Sequence, residues 1–212
     1  MAYSTNLYVI AAICGNFYQE STVNPGVWEG LTPGNPGYGL GQWTDNAQVS
    51  RRTALFNFLS ANGYSQDSGF GQLKFFIYED VWNVLGAGGH TSSYSNLTDY
   101  LSSTSNSLRD LTLEFMYHWE GINDGTEAIR YDAAVRYLTL FENDDGTRVP
   151  WYASNSLLSV SESGENALHV MDFFLGGSPP DPPGPGPTPM RIKRKRLPPW
   201  LIDKLTKGWY EK

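Results

Sequence analysis

One glutamate, Glu20, stands where an apolar helix-like stretch running from Leu7 to Gln19 gives out. Ser21-Thr22-Val23-Asn24-Pro25 follows it, and then a Gly- and aromatic-rich run, Gly37-Tyr38-Gly39-Leu40-Gly41-Gln42-Trp43-Thr44. Positions three and seven apart share a helix face, which puts Glu20 on the side of Phe17 and Ile13. At the edge of an apolar stripe the charged form of a carboxylate is disfavoured, so the residue is expected to hold its proton to higher pH. A general acid needs that property when it must protonate a departing glycosidic oxygen near neutral pH. The competing reading is a solvated glutamate at a helix end.

Other chemistries find little support. His90, His118 and His169 are scattered, with no His-x-x-x-His pair and no cysteine cluster, so no zinc site is expected. Cys14 is the only cysteine, which rules out an intramolecular disulfide. Its place on the apolar face of the first helix makes it a small core residue rather than a nucleophile. Asn143-Asp144-Asp145-Gly146-Thr147 resembles part of a calcium loop but lacks the terminal glutamate, so a turn is expected. No cofactor and no metal is therefore expected. His118, beside Trp119, is expected to pack in a helix interface. The 212-residue chain carries a net charge of −7, with an acidic body and a basic C-terminal end. An acidic body argues against nucleic acid as the substrate, because phosphate neutralisation needs clustered Lys and Arg. No apolar run is long enough to span a bilayer, and no basic residues precede the first apolar stretch as a signal peptide would require.

The elements that must position Glu20 read as mainly helical. Ser4 and Thr5 are expected to cap the first helix. Residues 24–44, with several Pro and Gly and two tryptophans, form a loop or small β-like flap. A second helix is expected over 46–62, ended by Asn62-Gly63, and a third over 69–85, ended by Gly86-Ala87-Gly88-Gly89. Residues 90–106 read as a loop holding one short helix. Helices follow over 107–120, over 124–142 with Asp124 or Thr126 at its cap, and over 163–175, with an irregular 149–160 between the last two. Residues 176–189 are dominated by Pro and Gly and read as an extended linker. Beyond it, 190–212 joins the cluster Arg191-Ile192-Lys193-Arg194-Lys195-Arg196 to a short amphipathic piece with Trp200, Leu201 and Leu205. This tail is expected either to dock on a protein partner or an anionic surface, with the aromatic as anchor and the charges steering, or to be a disordered, solubilising end.

The ordered words Gly15-Asn16, Gln19-Glu20-Ser21, Asn24-Pro25, Trp28-Glu29-Gly30 and Gly39-Leu40-Gly41-Gln42-Trp43-Thr44 resemble the phage-tail lysozyme family of the lysozyme-like superfamily. The last of these words is similar to the G-L-x-Q block of goose-type lysozymes and lytic transglycosylases. Gln72-Leu73, Phe115 to Glu120, and Arg130 to Tyr137 extend the likeness, which covers most of residues 1–175. The resemblance implies a mainly α, lysozyme-like α+β domain over 1–175: helices around a substrate cleft, with the small flap at its edge. It also implies cleavage of the β-1,4 bond between N-acetylmuramic acid and N-acetylglucosamine in peptidoglycan glycan strands, with Glu20 as general acid. Asp45 is the first choice for a second carboxylate, one residue later than the goose-type pattern places it, and Glu29 is the second. Glu120 is expected to be structural, paired with Arg130 or Arg136. Trp28, Tyr38, Gln42, Trp43 and Thr44 are expected to bind the glycan. A wall-cleaving enzyme lacking an export signal must reach its substrate by another route, and the likeness implies carriage on a virion tail, attached to other tail proteins through 190–212. A lytic transglycosylase that needs no second protein carboxylate, and a non-catalytic tail or plug protein retaining the fold, remain open.

Overall fold

The computed structural model describes residues 2–47, 49–144 and 163–176. Leu7–Ser21 forms α1, and every residue from Val9 to Phe17 is buried. A helix that is apolar on all sides belongs inside a domain, and α1 is the axis on which the others pack. It is flanked by α5 (Leu108–Phe115), α6 (Glu127–Glu142) and α7 (Ser163–Phe174). On α6 the buried residues Arg130, Ala133, Ala134, Tyr137 and Phe141 recur at helical spacing and make one inward stripe. Two alanines in that stripe let the axes approach closely, and Gly15 of α1 completes the contact. A Cβ at Gly15 would lie 2.5 Å from the Arg130 carbonyl oxygen and 2.7 Å from the Ala134 Cβ.

Gly15→Ala therefore sets two effects against each other. Alanine improves helix propensity by roughly 1 kcal/mol, whereas overpacking against a backbone carbonyl that cannot rotate away costs about 1–3 kcal/mol. The clash is expected to win, so the variant should melt below wild type in a thermal scan. A variant that melts higher would mean that α6 shifts freely away from α1.

The remaining helices are α2 (Arg51–Ala61), α3 (Gly69–Glu79) and α4 (Leu97–Leu101), and Gly37–Tyr38 (β1) pairs antiparallel with Trp43–Thr44 (β2) to make the flap. The register sets Gly37 opposite Thr44 and Tyr38 opposite Trp43. Beneath the flap lies an aromatic core in which Phe17 meets Phe76, Phe115 and Trp119 edge-on at 6.1, 6.0 and 5.9 Å between ring centres. The chain's start is tied to its last described helix: Tyr3 N–H donates to the Phe174 carbonyl at 2.8 Å, and the Tyr3 ring stacks on Phe173. The expected mainly helical, lysozyme-like architecture with a small flap is what the protein has.

Several boundaries differ from expectation. Asn6, not Ser4 or Thr5, caps α1, its Oδ1 accepting from Tyr8 N–H at 3.0 Å. Helix α2 starts at Arg51, and ahead of it Asn46 N–H donates to Val49 O and Val49 N–H to Asn46 Oδ1. Helix α3 stops at Glu79, where Asp80 turns left-handed with φ of 44°. Trp82 thus falls outside it and stacks on Tyr100 at 4.9 Å. Helix α5 gives way at Met116 to a π-helical turn through Glu120, ended by left-handed Gly121. Helix α6 begins at Glu127, and Asp124 Oδ1 accepts from the N–H and hydroxyl of Thr126 just ahead of it. Cys14 is fully buried, and burial pushes its thiol pKa well up. His118 is buried as expected, with Nδ1 2.6 Å from the Asn83 carbonyl. The expectations for 149–160, for most of the 143–147 turn, and for the linker and tail lie outside the described residues.

Candidate active site

Glu20 sits in the last turn of α1, and that end is fixed from two sides. Thr22 closes the helix in a left-handed conformation, its N–H reaching the Phe17 and Tyr18 carbonyls. Ser21 Oγ donates to Phe17 O at 3.1 Å and to Leu40 O at 2.9 Å, tying the helix end to the flap. The Glu20 side chain keeps 19% exposure, and its Oε1 lies 2.5 Å from Nη2 of Arg130, which is 1% exposed. The other donors of Arg130 are also engaged, Nε to Thr126 Oγ1 at 2.9 Å and Nη1 to Asn16 Oδ1 at 3.1 Å. Asn16 is one helical turn before Glu20, so a single guanidinium spans two residues of one face. Asn16 is itself held by donating Nδ2 to Ala12 O and Thr112 O. The sequence sets Glu20 at the edge of an apolar stripe, and the structure adds that its carboxylate faces a buried cation from α6.

Around this pair the fold gathers further charge. Arg51 holds Glu79 through Nη2 to Oε1 at 2.8 Å and Nε to Oε2 at 3.2 Å, and Trp43 Nε1 donates to the same Oε1 at 2.8 Å. The Arg51 guanidinium lies 4.8 Å above the Trp119 ring. Glu120, the next residue, is only half-buried as a whole, yet its Oε1 has no access to solvent and no hydrogen-bond partner. Burial pushes the Glu120 carboxyl well above its usual value; the charge of Glu20 adds to the rise, Arg130 and Arg51 oppose it, and Glu79 adds a little. The expected pairing of Glu120 with Arg130 or Arg136 is not what forms. Arg130 bonds Glu20, and Arg136 lies over the Tyr18 ring at 5.0 Å.

The flap residues mostly hold the flap. Trp28, Tyr38 and Phe56 form an edge-on cluster with centroids 4.7 to 6.1 Å apart, and Arg52 lies 5.5 Å above Trp28. Trp28 is half-buried, but Tyr38 is 4% exposed and Trp43 not exposed at all. Both are expected glycan-binding residues, and the structure places them as buried side chains, with Trp43 packed on Trp119 at 5.9 Å in the core. Burial, with a contribution from Asp67, pushes the Tyr38 phenol up to about 12. Gln42 Nε2 donates to Gly39 O at 3.0 Å and Val27 O at 3.3 Å, and Thr44 Oγ1 donates to Gln42 O. Gly39 combines a φ of +78° with a close approach of Gln72, whose Oε1 accepts from Leu40 N–H at 2.9 Å. No Cβ fits there.

The two candidates for a second carboxylate are engaged locally. Asp45 accepts from Thr53 N–H at 3.0 Å, from Thr53 Oγ1 at 2.7 Å and from Arg52 Nη2 at 3.2 Å. It thereby satisfies an orphan donor in the first turn of α2, whose own N-cap residue Ser50 makes no side-chain bond. Burial opposes ionisation of Asp45, but the Thr53 bonds and Arg52 outweigh it and lower its pKa. Glu29 is exposed and accepts from Gly37 N–H at 3.0 Å. The groups that sequence reasoning missed near Glu20 are Arg130 as its partner, Arg51 with Glu79, and Glu120 as a desolvated acid. The one available signal was Glu120 itself, a carboxylate set directly after the largely aromatic run Phe115 to Trp119.

A family model described as phage tail lysozyme matches residues 5–141. That range takes in Glu20, Glu79, Glu120, Arg51, Arg130 and the whole flap. Morphogenesis protein 1 of Bacillus phage B103 is 39% identical over 72 residues, which is 33% of this chain. The matched stretch spans 18% of that relative's length.

Proposed function

The chain belongs to the phage tail lysozyme family, and from that premise we propose that it cleaves the β-1,4 bond between N-acetylmuramic acid and N-acetylglucosamine, with Glu20 as general acid. One observation carries the reading: Glu20 is fixed by the buried Arg130 at the end of α1 while part of its side chain remains open to solvent. A carboxyl so held can meet a glycosidic oxygen without paying side-chain entropy at the moment of reaction. A bound glycan would cover the open part and exclude water, which favours the neutral acid able to give its proton. As the C–O bond breaks, its electron pair passes to the leaving oxygen and the proton of Glu20 neutralises it. The anionic Glu20 then left behind is stabilised by Arg130. Asp45 remains the proposed partner for water or the oxocarbenium centre in a hydrolase, and Glu29 the second choice. Both are held by the flap or by α2, an arrangement that also suits a transglycosylase in which the substrate's own N-acetyl or 6-hydroxyl group assists.

Mass spectrometry of muropeptides released from purified walls tests the proposal. Fragments ending in reducing N-acetylmuramic acid are expected from a hydrolase, and 1,6-anhydro ends from a transglycosylase. Release of neither from several wall chemotypes would favour a tail protein that keeps the fold without the activity. In the proposed setting the domain, residues 1–175, rides on the phage tail and opens the host wall during infection. The 176–189 linker then joins it to a 190–212 segment that docks on other tail proteins. Truncation after Leu175 is expected to leave a wall-clearing domain that no longer enters particles. A truncated protein that still incorporates would move the attachment surface onto the domain.

A further inference from the structure

Glu120 has a buried, unpartnered Oε1 that the proposed reaction does not yet use. It lies in a cluster of three carboxylates, Glu20, Glu79 and Glu120, and two guanidiniums, Arg51 and Arg130. Glu20 comes from α1, Arg51 from α2, Glu79 from α3 and Arg130 from α6. With all five charged the cluster would carry one net negative charge, and with Glu120 neutral it balances. Arg51 and Glu79 already satisfy each other in a two-point pair. That leaves Arg130 as one cation facing two carboxyl groups, directly bonded to Glu20. Two carboxyl groups beside one cation in a site with little solvent favour a state holding a single proton. The turn that carries Glu120 is π-helical, a geometry that recurs at functional sites.

We propose that Glu120 is a positioning residue that keeps the site's proton, sharing one proton with Glu20 so that Glu20 can act as an acid although it faces Arg130. The inference rests on Glu20 being the general acid. In the free protein the proton resides on the desolvated Glu120, while Arg130 bonds the Glu20 side chain. When glycan covers Glu20 the balance of desolvation moves toward it, and the proton passes from Glu120 to Glu20 and on to the leaving oxygen. Water returning to the site re-supplies it. The raised pKa of the Glu120 carboxyl, caused first by burial and then by the Glu20 charge, accords with this order.

Two measurements on the full chain test it. The first is the pH profile of wall clearing for wild type, Glu120→Gln and Glu120→Asp. Loss of the shared proton should move the alkaline limb of the Gln variant to lower pH by about one unit or more, whereas the Asp variant, still titratable, should keep the limb near its wild-type place at reduced rate. A merely structural Glu120 would change amplitude without moving the limb, and an unmoved limb in Glu120→Gln overturns the inference. The second is a titration of isotope-labelled glutamate carboxyls by NMR, which needs no activity and no change at Glu120. The Glu120 resonance should titrate above the usual carboxylate range in wild type and fall toward it in Glu20→Gln, since the Glu20 charge helps hold it up. Titration in the ordinary range, or no response to Glu20→Gln, overturns the inference even if Glu120→Gln fails to fold. Wall clearing that survives Glu20→Gln would instead remove the acid reading itself, whatever Glu120 does.

Discussion

Glu20→Gln is expected to lower the rate of wall clearing by about 10² to 10⁴-fold, the usual share of a positioned general acid. That is roughly 3–5 kcal/mol of lost transition-state stabilisation. The amide matches the carboxyl in shape and still offers an oxygen to Arg130, so helix α1, the flap tie through Ser21 and the fold as a whole should persist. The loss should therefore fall on turnover, with affinity for walls little changed, because the proton is needed only as the glycosidic bond breaks. Turbidity assays beside circular dichroism separate the two. Full clearing by a folded Glu20→Gln protein would take Glu20 out of the mechanism.

The second large effect is expected at Arg130. Its guanidinium is almost wholly buried and bonds Glu20 and Asn16 of α1 and Thr126 at the N-terminal cap of α6. Arg130→Met keeps the length of the stem but deletes the planar fork. Asn16 Oδ1 and Thr126 Oγ1 then lose a donor, and the Glu20 carboxylate loses its cation. Removing one partner of a buried charge pair costs about 3–5 kcal/mol, because the desolvated groups left behind stay unpaired. The open end of Glu20 lets water soften that penalty, so the lower part of the range is expected. For a domain of this size the melting temperature should drop on the order of 10 °C. Arg130→Lys, which keeps the charge but not the fork, should fall between the two. A melting temperature for Arg130→Met equal to wild type would mean the pair contributes no more than an exposed salt bridge.

Much of this protein was legible in its residues. The run from Leu7 to Gly15 reads as a buried helix, because it is apolar at every position rather than along one stripe. The glycines at 37, 39 and 41 announced a flap, and Gly39 needs to be glycine both for its backbone angle and for the approach of Gln72. Glu20 stood out from position and neighbouring words, and the family followed from their order. Local chemistry misplaced only element ends. Asp80 stops α3 by adopting a left-handed turn that glycine usually takes, so no glycine marked the place. Asn6 out-competes Ser4 and Thr5 as a cap because its amide also bonds the Ser103 and Ser105 carbonyls, nearly a hundred residues away.

Tertiary structure alone decided the environment of the candidate acid. Periodicity shows which residues of α1 share the face of Glu20, but it carries no information about what packs on that face. Arg130 is 110 positions further along the chain, and only the crossing of α1 and α6 at Gly15 and Ala134 brings it there. The same holds for the flap. Trp43 and Tyr38 have the right side chains for sugar stacking, yet the β1–β2 register and the aromatic core beneath turn both inward. Asp45 was a candidate from the goose-type pattern and Glu29 from its place in the preceding loop; the fold sets one oxygen of each on a backbone N–H, at Thr53 and at Gly37. Sequence fixes which groups can ionise. Which of them is desolvated, as Glu120 is, depends on what the fold places over it, because the cost of burying charge depends on the dielectric of the surroundings and not on the residue type.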